Sequence, residues 1–250
     1  MRAERRANPG GARVTEAQNL RWIRRSRLTA AAIAATAVVI ACTALFLVTR
    51  YAALPDVLPV RFRPTGSPIG WQFKTLARVM MPVFVQVVLT LTLGAIVALL
   101  LSRSQGAHDE TAADVRAASV AAECVALMTL IWVAFQGYAA VALVGMWQRG
   151  HDGLGRSYTL VGIAAFVLTI AVAARAHVRV GWPASRPFVV EHWRLGQLYC
   201  NPVDPALFVP TRDGAKWTLN FGRPVAVALI ALILGIGIIG PTIILGLLLR

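Results

Sequence analysis

Long stretches without a charged residue alternate along this chain with short, polar, proline-rich connections. The uncharged stretches are 28–49, 79–101, 124–147, 158–174 and 224–249. A bilayer core is roughly 30 Å thick, and a helix crosses it with about 20 apolar residues. Four of the stretches reach that length, and 158–174 lies at its lower limit. In hydrocarbon every backbone N–H and C=O needs an internal partner, which a helix supplies alone. The pattern predicts an all-α integral membrane protein with about five transmembrane helices.

The connections divide the chain further. Residues 1–27 form a basic N-terminus. Residues 28–101 form a two-helix hairpin around the loop 50–78. Helices three and four lie within 102–176, a polar module spans 177–223, and a last helix covers 224–250. Residues up to about Val14 have the composition of a disordered tail. Residues 15–27 predict a short basic amphipathic helix that turns Leu20, Trp22 and Ile23 to the interface. The apolar run behind it exceeds the core of a secretory signal, so the expectation is an uncleaved anchor.

Both polar connections are too rich in proline for long helices. In 50–78, Pro55, Pro59, Pro64 and Pro68 favour extended and turn geometry. Val60 and Phe62 alternate as in one short strand. In 177–223, residues 198–199 and 207–209 read as strands, and 217–221 as a third. Asn201-Pro202 and Asp213-Gly214 read as turns.

Composition adds orientation. The chain of 250 residues is 57% hydrophobic and 14% charged, with a net charge of +14. Beside membrane helices, basic residues set topology and meet anionic lipid, which accounts for the charge without nucleic acid. With the N-terminus inside, segments 1–27, 102–123 and 175–223 carry eight, two and seven Lys or Arg. The opposite segments carry five, two and one. The positive-inside rule then predicts an inner-membrane protein with a cytoplasmic N-terminus and an extracytoplasmic C-terminus.

Candidate chemistry is sparse. Cys42, Cys124 and Cys200 give neither a complete disulfide framework nor metal-ligand spacing. His108, His151, His177 and His192 are scattered, and no zinc-protease or nucleophile-elbow motif occurs. No enzyme activity, cofactor or metal is expected. Glu123 is the only acid close to an apolar run, with Arg116 and Arg103 as expected partners. Gln86 and Gln136 lie within helices and predict polar bonds between them.

The loop order of Pro59, Phe62, Gly66, Pro68, Gly70 and Lys74 resembles a bacterial domain of unknown function that opens the Sdp-type immunity proteins. Those proteins protect a cell from a peptide toxin and relay its presence. Arg61, Arg63 and Ile69 depart from the family's His, Asn and Asp. The run of Tyr199, Asn201, Pro202, Asp204, Pro205, Phe208, Val209 and Pro210, then Gly214, Trp217, Thr218, Asn220 and Phe221, resembles a second short bacterial domain of unknown function. Ala215-Lys216 departs mildly. Neither domain brings established chemistry.

The resemblances imply a membrane protein of immunity or signalling type. Arg61, Arg63 and Lys74 are its candidate outer ligand-binding residues, for a peptide or an envelope component. Asn201, Asp204, Trp217 and Asn220 are candidates for a ligand or a cytoplasmic regulatory partner. The bare residues also fit interfacial anchoring by the outer arginines with Trp71 and Phe73, and Asx-turns in the module. An accessory subunit of a transporter or envelope enzyme is the alternative. Oligomeric state is left open.

Overall fold

A computed structural model describes residues 21–22, 25–62, 68–103, 113–149, 154–183 and 188–235. The chain is mostly helical, and four helices are long and apolar enough to cross a membrane. Extended residues Arg21–Trp22 (β1) precede α1 (Arg27–Arg50). A hairpin of β2 (Val57–Phe62) and β3 (Pro68–Phe73) follows, then a single turn α2 (Leu76–Val79) and α3 (Met81–Leu101). Ser102–Arg103 (β4) pairs antiparallel with β1. Next come α4 (Ala113–Arg149) and α5 (Gly155–Val180). The polar module holds two small antiparallel pairs. They are β5 (Trp193–Arg194) with β6 (Leu198–Tyr199), and β7 (Phe208–Pro210) with β8 (Trp217–Leu219). A last apolar helix, α6 (Pro224–Gly235), leaves the module.

α4 is the central element and packs against α1, α3 and α5. Its 37 residues reach about 55 Å at the α-helical rise. Small residues allow the close approach. α1 buries Thr29, Thr36 and Thr43 at seven-residue spacing, with Ala32 between. The Thr36 and Thr43 hydroxyls donate to the carbonyls of Ala32 and Val39, so burial leaves them partnered. α4 turns Ala118, Ala122, Ala126 and Ala140 inward. A Cβ at Gly137 would lie 3.0 Å from Thr43 Oγ1, which marks a close approach of α1 and α4. Between helices in lipid, such small residues supply packing where the hydrophobic drive is absent.

Two apolar clusters mark the ends of the bundle. The proximal cluster joins Ala32 of α1, Leu100 and Leu101 of α3, Ala122 and Ala126 of α4, Leu207 of the module and Leu229 of α6. The distal cluster joins Leu47, Leu54, Leu58, Val79, Val144 and Trp147. The helices therefore alternate in direction, with the polar module at the proximal end and the hairpin at the distal end.

Several sequence expectations are corrected. Within 15–27, Arg21 and Trp22 are extended and paired with Ser102 and Arg103, and 15–20 lie outside the described residues. The helix starts at Arg27 because extended Ser26 accepts the Thr29 N–H at 3.0 Å. The outer loop forms two strands rather than one, with register shifts around Arg61. Its prolines fit because Pro68 opens a strand and the carbonyl of Pro59 accepts from Trp147. In the module, β7 is shifted by one residue to Phe208–Pro210, and β8 stops at Leu219, where Asn220 turns inward. The stretch 158–174 is part of a 26-residue helix that ends at Gly181, whose φ of 67° a side chain disfavours. Of 224–249, the helix is described to Gly235, so a fifth span lies partly outside the described residues.

Candidate functional sites at the two ends of the bundle

At the distal end the hairpin is pinned to the helices. Leu58 is fully buried in the distal cluster, and Trp147 Nε1 of α4 donates to the Pro59 carbonyl at 3.1 Å. Lys74 acts as a strut. Its Nζ donates to the Leu54 carbonyl at 2.8 Å, lies 3.4 Å from Asp56 and stands over the Tyr51 ring at 5.3 Å. Its side chain is only 15% exposed, so it braces the hairpin from within. Arg61 is exposed, with its stem against Gly70, where a Cβ would meet it at 3.0 Å. Arg63 lies outside the described residues. Sequence reasoning named Trp71 and Phe73 as interfacial anchors but missed that Ile69 joins them on one side of a strand. Ile69, Trp71 and Phe73 take alternate positions of β3 and are 54%, 60% and 75% exposed. Their period of two is the signal that would have found them.

At the proximal end the module is built around Asn220, which is fully buried. Its Oδ1 accepts from the backbone N–H of Asn201 and of Gly222, both at 3.0 Å. Its Nδ2 donates to the carbonyls of Asn201, Asp204 and Ala206 at 2.8, 3.2 and 3.2 Å. Asn201 Oδ1 accepts from Val203 and Asp204 N–H, an Asx-turn. Asp204 accepts from the Tyr199 hydroxyl at 2.9 Å and the Ala206 N–H at 2.9 Å. Three of the four candidate residues thus converge, and their polar atoms fold the segment 199–222 onto itself. Trp217 lies apart. Its Nε1 donates to the Gly181 carbonyl at 3.1 Å and ties the module to the end of α5. In the following turn, the Thr211 hydroxyl and the Ala215 N–H donate to Asp213 and hold its carboxyl below the ordinary range.

An aromatic cleft of about 240 Å³ opens between the two strand pairs, lined by Phe188, His192, Trp193, Tyr199 and Arg212. The Arg212 guanidinium lies over the Phe188 ring at 4.7 Å, and Trp193 meets Tyr199 edge-on at 5.3 Å. The cleft is smaller than usual small-molecule pockets of about 300–1,000 Å³.

Two further polar stations lie within the bundle. Glu123 is buried near the proximal end of α4 and does not pair with Arg116; the side chain of Arg103, the other expected partner, lies outside what the structure describes. Ser26 Oγ donates to Oε2 at 2.8 Å, and Arg175 and Arg179 of α5 both donate to Oε1. The sequence places those arginines more than fifty residues away, beyond the reach of local pairing rules. Nearer mid-bundle, Gln86 is fully buried and bonds not to Gln136 but to Thr43 Oγ1 at 3.2 Å and the Val133 carbonyl at 2.9 Å. It joins α1, α3 and α4.

Among the described residues, no group of three His, Cys, Asp or Glu is placed to hold a metal ion. No protein-family model, curated protein or solved structure matches this chain.

Proposed function

We propose that this is a multi-pass inner-membrane protein of immunity or signalling type. It acts by binding, with the hairpin facing the cell exterior and the polar module the cytoplasm. The reading rests on one observation above others. The hairpin is tied to the bundle by Trp147 and braced by Lys74, yet leaves Ile69, Trp71 and Phe73 uncovered. An exposed apolar and aromatic face suits the apolar side of an amphipathic peptide. The alternation of helix direction also supports the topology, since the two segments richest in Lys and Arg, 1–27 and 175–223, both adjoin the proximal end.

α4 is the element through which binding would be reported. It carries Trp147 against the hairpin and Ala122 and Ala126 against the proximal cluster that includes Leu207 of the module. A ligand shifts such a helix only to the extent that it binds one arrangement more tightly.

A photo-crosslinking residue at Trp71 tests the reading in intact cells. A crosslinked product a few kilodaltons heavier supports peptide binding. A second reading, an accessory subunit, draws on α5, whose Leu160, Ile163, Phe166 and Ile170 are left exposed. Stoichiometric recovery of an envelope enzyme or transporter crosslinked through Phe166 would favour that reading and overturn the first. Orientation is tested separately with single cysteines at Phe73 and Val203, both strongly exposed. An impermeant maleimide should label the first from outside and not the second.

A further inference from the structure

The proximal end carries an arrangement of charge that helix packing leaves unbalanced. Arg175 and Arg179 lie one turn apart on α5, and both guanidiniums converge on the same oxygen of Glu123. One carboxylate neutralises one of them. Among the described residues neither arginine makes an ion pair with any other acid. The other carboxylate oxygen accepts from Ser26, which is flanked by exposed Arg25 and Arg27. The station therefore holds surplus positive charge, while Glu123 itself is 5% exposed and fixed by three residues, Ser26, Arg175 and Arg179.

The two arginines are not buried with their partner. Their side chains are 51% and 41% exposed, and each guanidinium has five N–H donors of which one nitrogen faces Glu123. The notch between α4 and α5 behind them holds about 10 Å³, too little for an oxyanion. An anion must then bind on the outer side of the guanidiniums. Toward mid-helix the same face of α5 carries exposed Leu168, two turns before Arg175, and exposed Trp182 follows the end of the helix. That order is the one found where hydrocarbon gives way to headgroups.

We propose that Arg175 and Arg179, held side by side by Glu123 with their remaining N–H groups partly exposed, bind the phosphate of an anionic phospholipid at the proximal membrane surface. Planar guanidiniums match phosphate oxygens in paired bonds, and pre-orientation by a buried carboxylate lowers the entropy lost on binding. The inference rests on the membrane placement proposed above but not on the hairpin's ligand. Failure of peptide crosslinking at Trp71 leaves it intact.

The test uses the full chain in detergent, equilibrated with phosphatidylglycerol or phosphatidylcholine, and counts retained lipid by native mass spectrometry. The wild type should retain phosphatidylglycerol selectively. The variant E123Q/R175Q/R179Q removes the site without leaving a buried charge unpaired, and its retention should fall about tenfold. The variant R194Q/R212Q, which removes two exposed cations of the module, should retain lipid as the wild type does. Equal loss in both variants, or no loss in either, overturns the proposal. Displacement of the lipid by millimolar inorganic phosphate would also overturn it, by assigning the site to free phosphate. Should the triple variant fail to fold, R175K/R179K keeps the charge and loses the planar pairing, and its selectivity should still fall.

Discussion

Replacing Asn220 with Ala removes one side chain and strands five backbone groups at once. The N–H groups of Asn201 and Gly222 lose their acceptor, and the carbonyls of Asn201, Asp204 and Ala206 lose a donor. A buried group without a partner costs about 1–3 kcal/mol. Several of these groups are only partly buried, so water recovers some, and about 1 kcal/mol each is the apt figure. The expected loss is about 3–5 kcal/mol, falling mainly on the module because α1, α3 and α4 pack chiefly against one another. Hydrogen exchange measured by mass spectrometry is the assay. Amides in 199–222 should exchange about a hundredfold faster, and those in the cores of α3 and α4 should be unchanged. Asn220→Asp should be at least as severe, since a carboxylate would face the same three carbonyl oxygens. A change below about fivefold in 199–222 would refute the assignment of Asn220 as the hub.

Gly222→Ala should unfold the same segment, because its Cβ would lie 2.5 Å from the Asn201 carbonyl carbon and 2.7 Å from its nitrogen. A loss of about 3 kcal/mol or more is expected, read by the same exchange measurement. Trp147→Phe keeps the ring but deletes the bond to the Pro59 carbonyl. The hairpin should loosen by about 1 kcal/mol, seen as faster proteolysis within 57–73 with the helices intact. Gln86→Leu removes two hydrogen bonds and also an amide oxygen that is buried without a partner. The opposing effects should leave thermal stability in detergent within about 1 kcal/mol of the wild type. A large loss would assign Gln86 a role beyond joining helices.

Periodicity and the absence of charge made the long helices legible, because each satisfies its own backbone and needs no distant partner. The proline-rich segments were legible as non-helical, and their turns at Asn201-Pro202 and Asp213-Gly214 followed from local chemistry. Their pairing was not. β3 has an alternating apolar face, yet only the contact of β2 with Leu47 and Trp147 fixes which side is covered. Lys74 reads in sequence as an outward cation, and the fold turns it toward Leu54 and Asp56. Asn201, Asp204 and Asn220 read as possible oxygen donors, and the fold directs them to backbone groups.

The sequence by itself determined which stretches form long apolar helices, four of them among the described residues, and which connections do not. Those properties follow from local composition and from hydrogen bonds four residues apart. Only the tertiary structure decided that α4 is the axis, that Glu123 joins Arg175 and Arg179, and that Gln86 reaches Thr43. Charge pairs and hubs depend on which helix faces come together. In this chain that choice rests on small residues such as Ala122, Gly137 and Thr43, whose role shows only when a neighbour fills the space they leave.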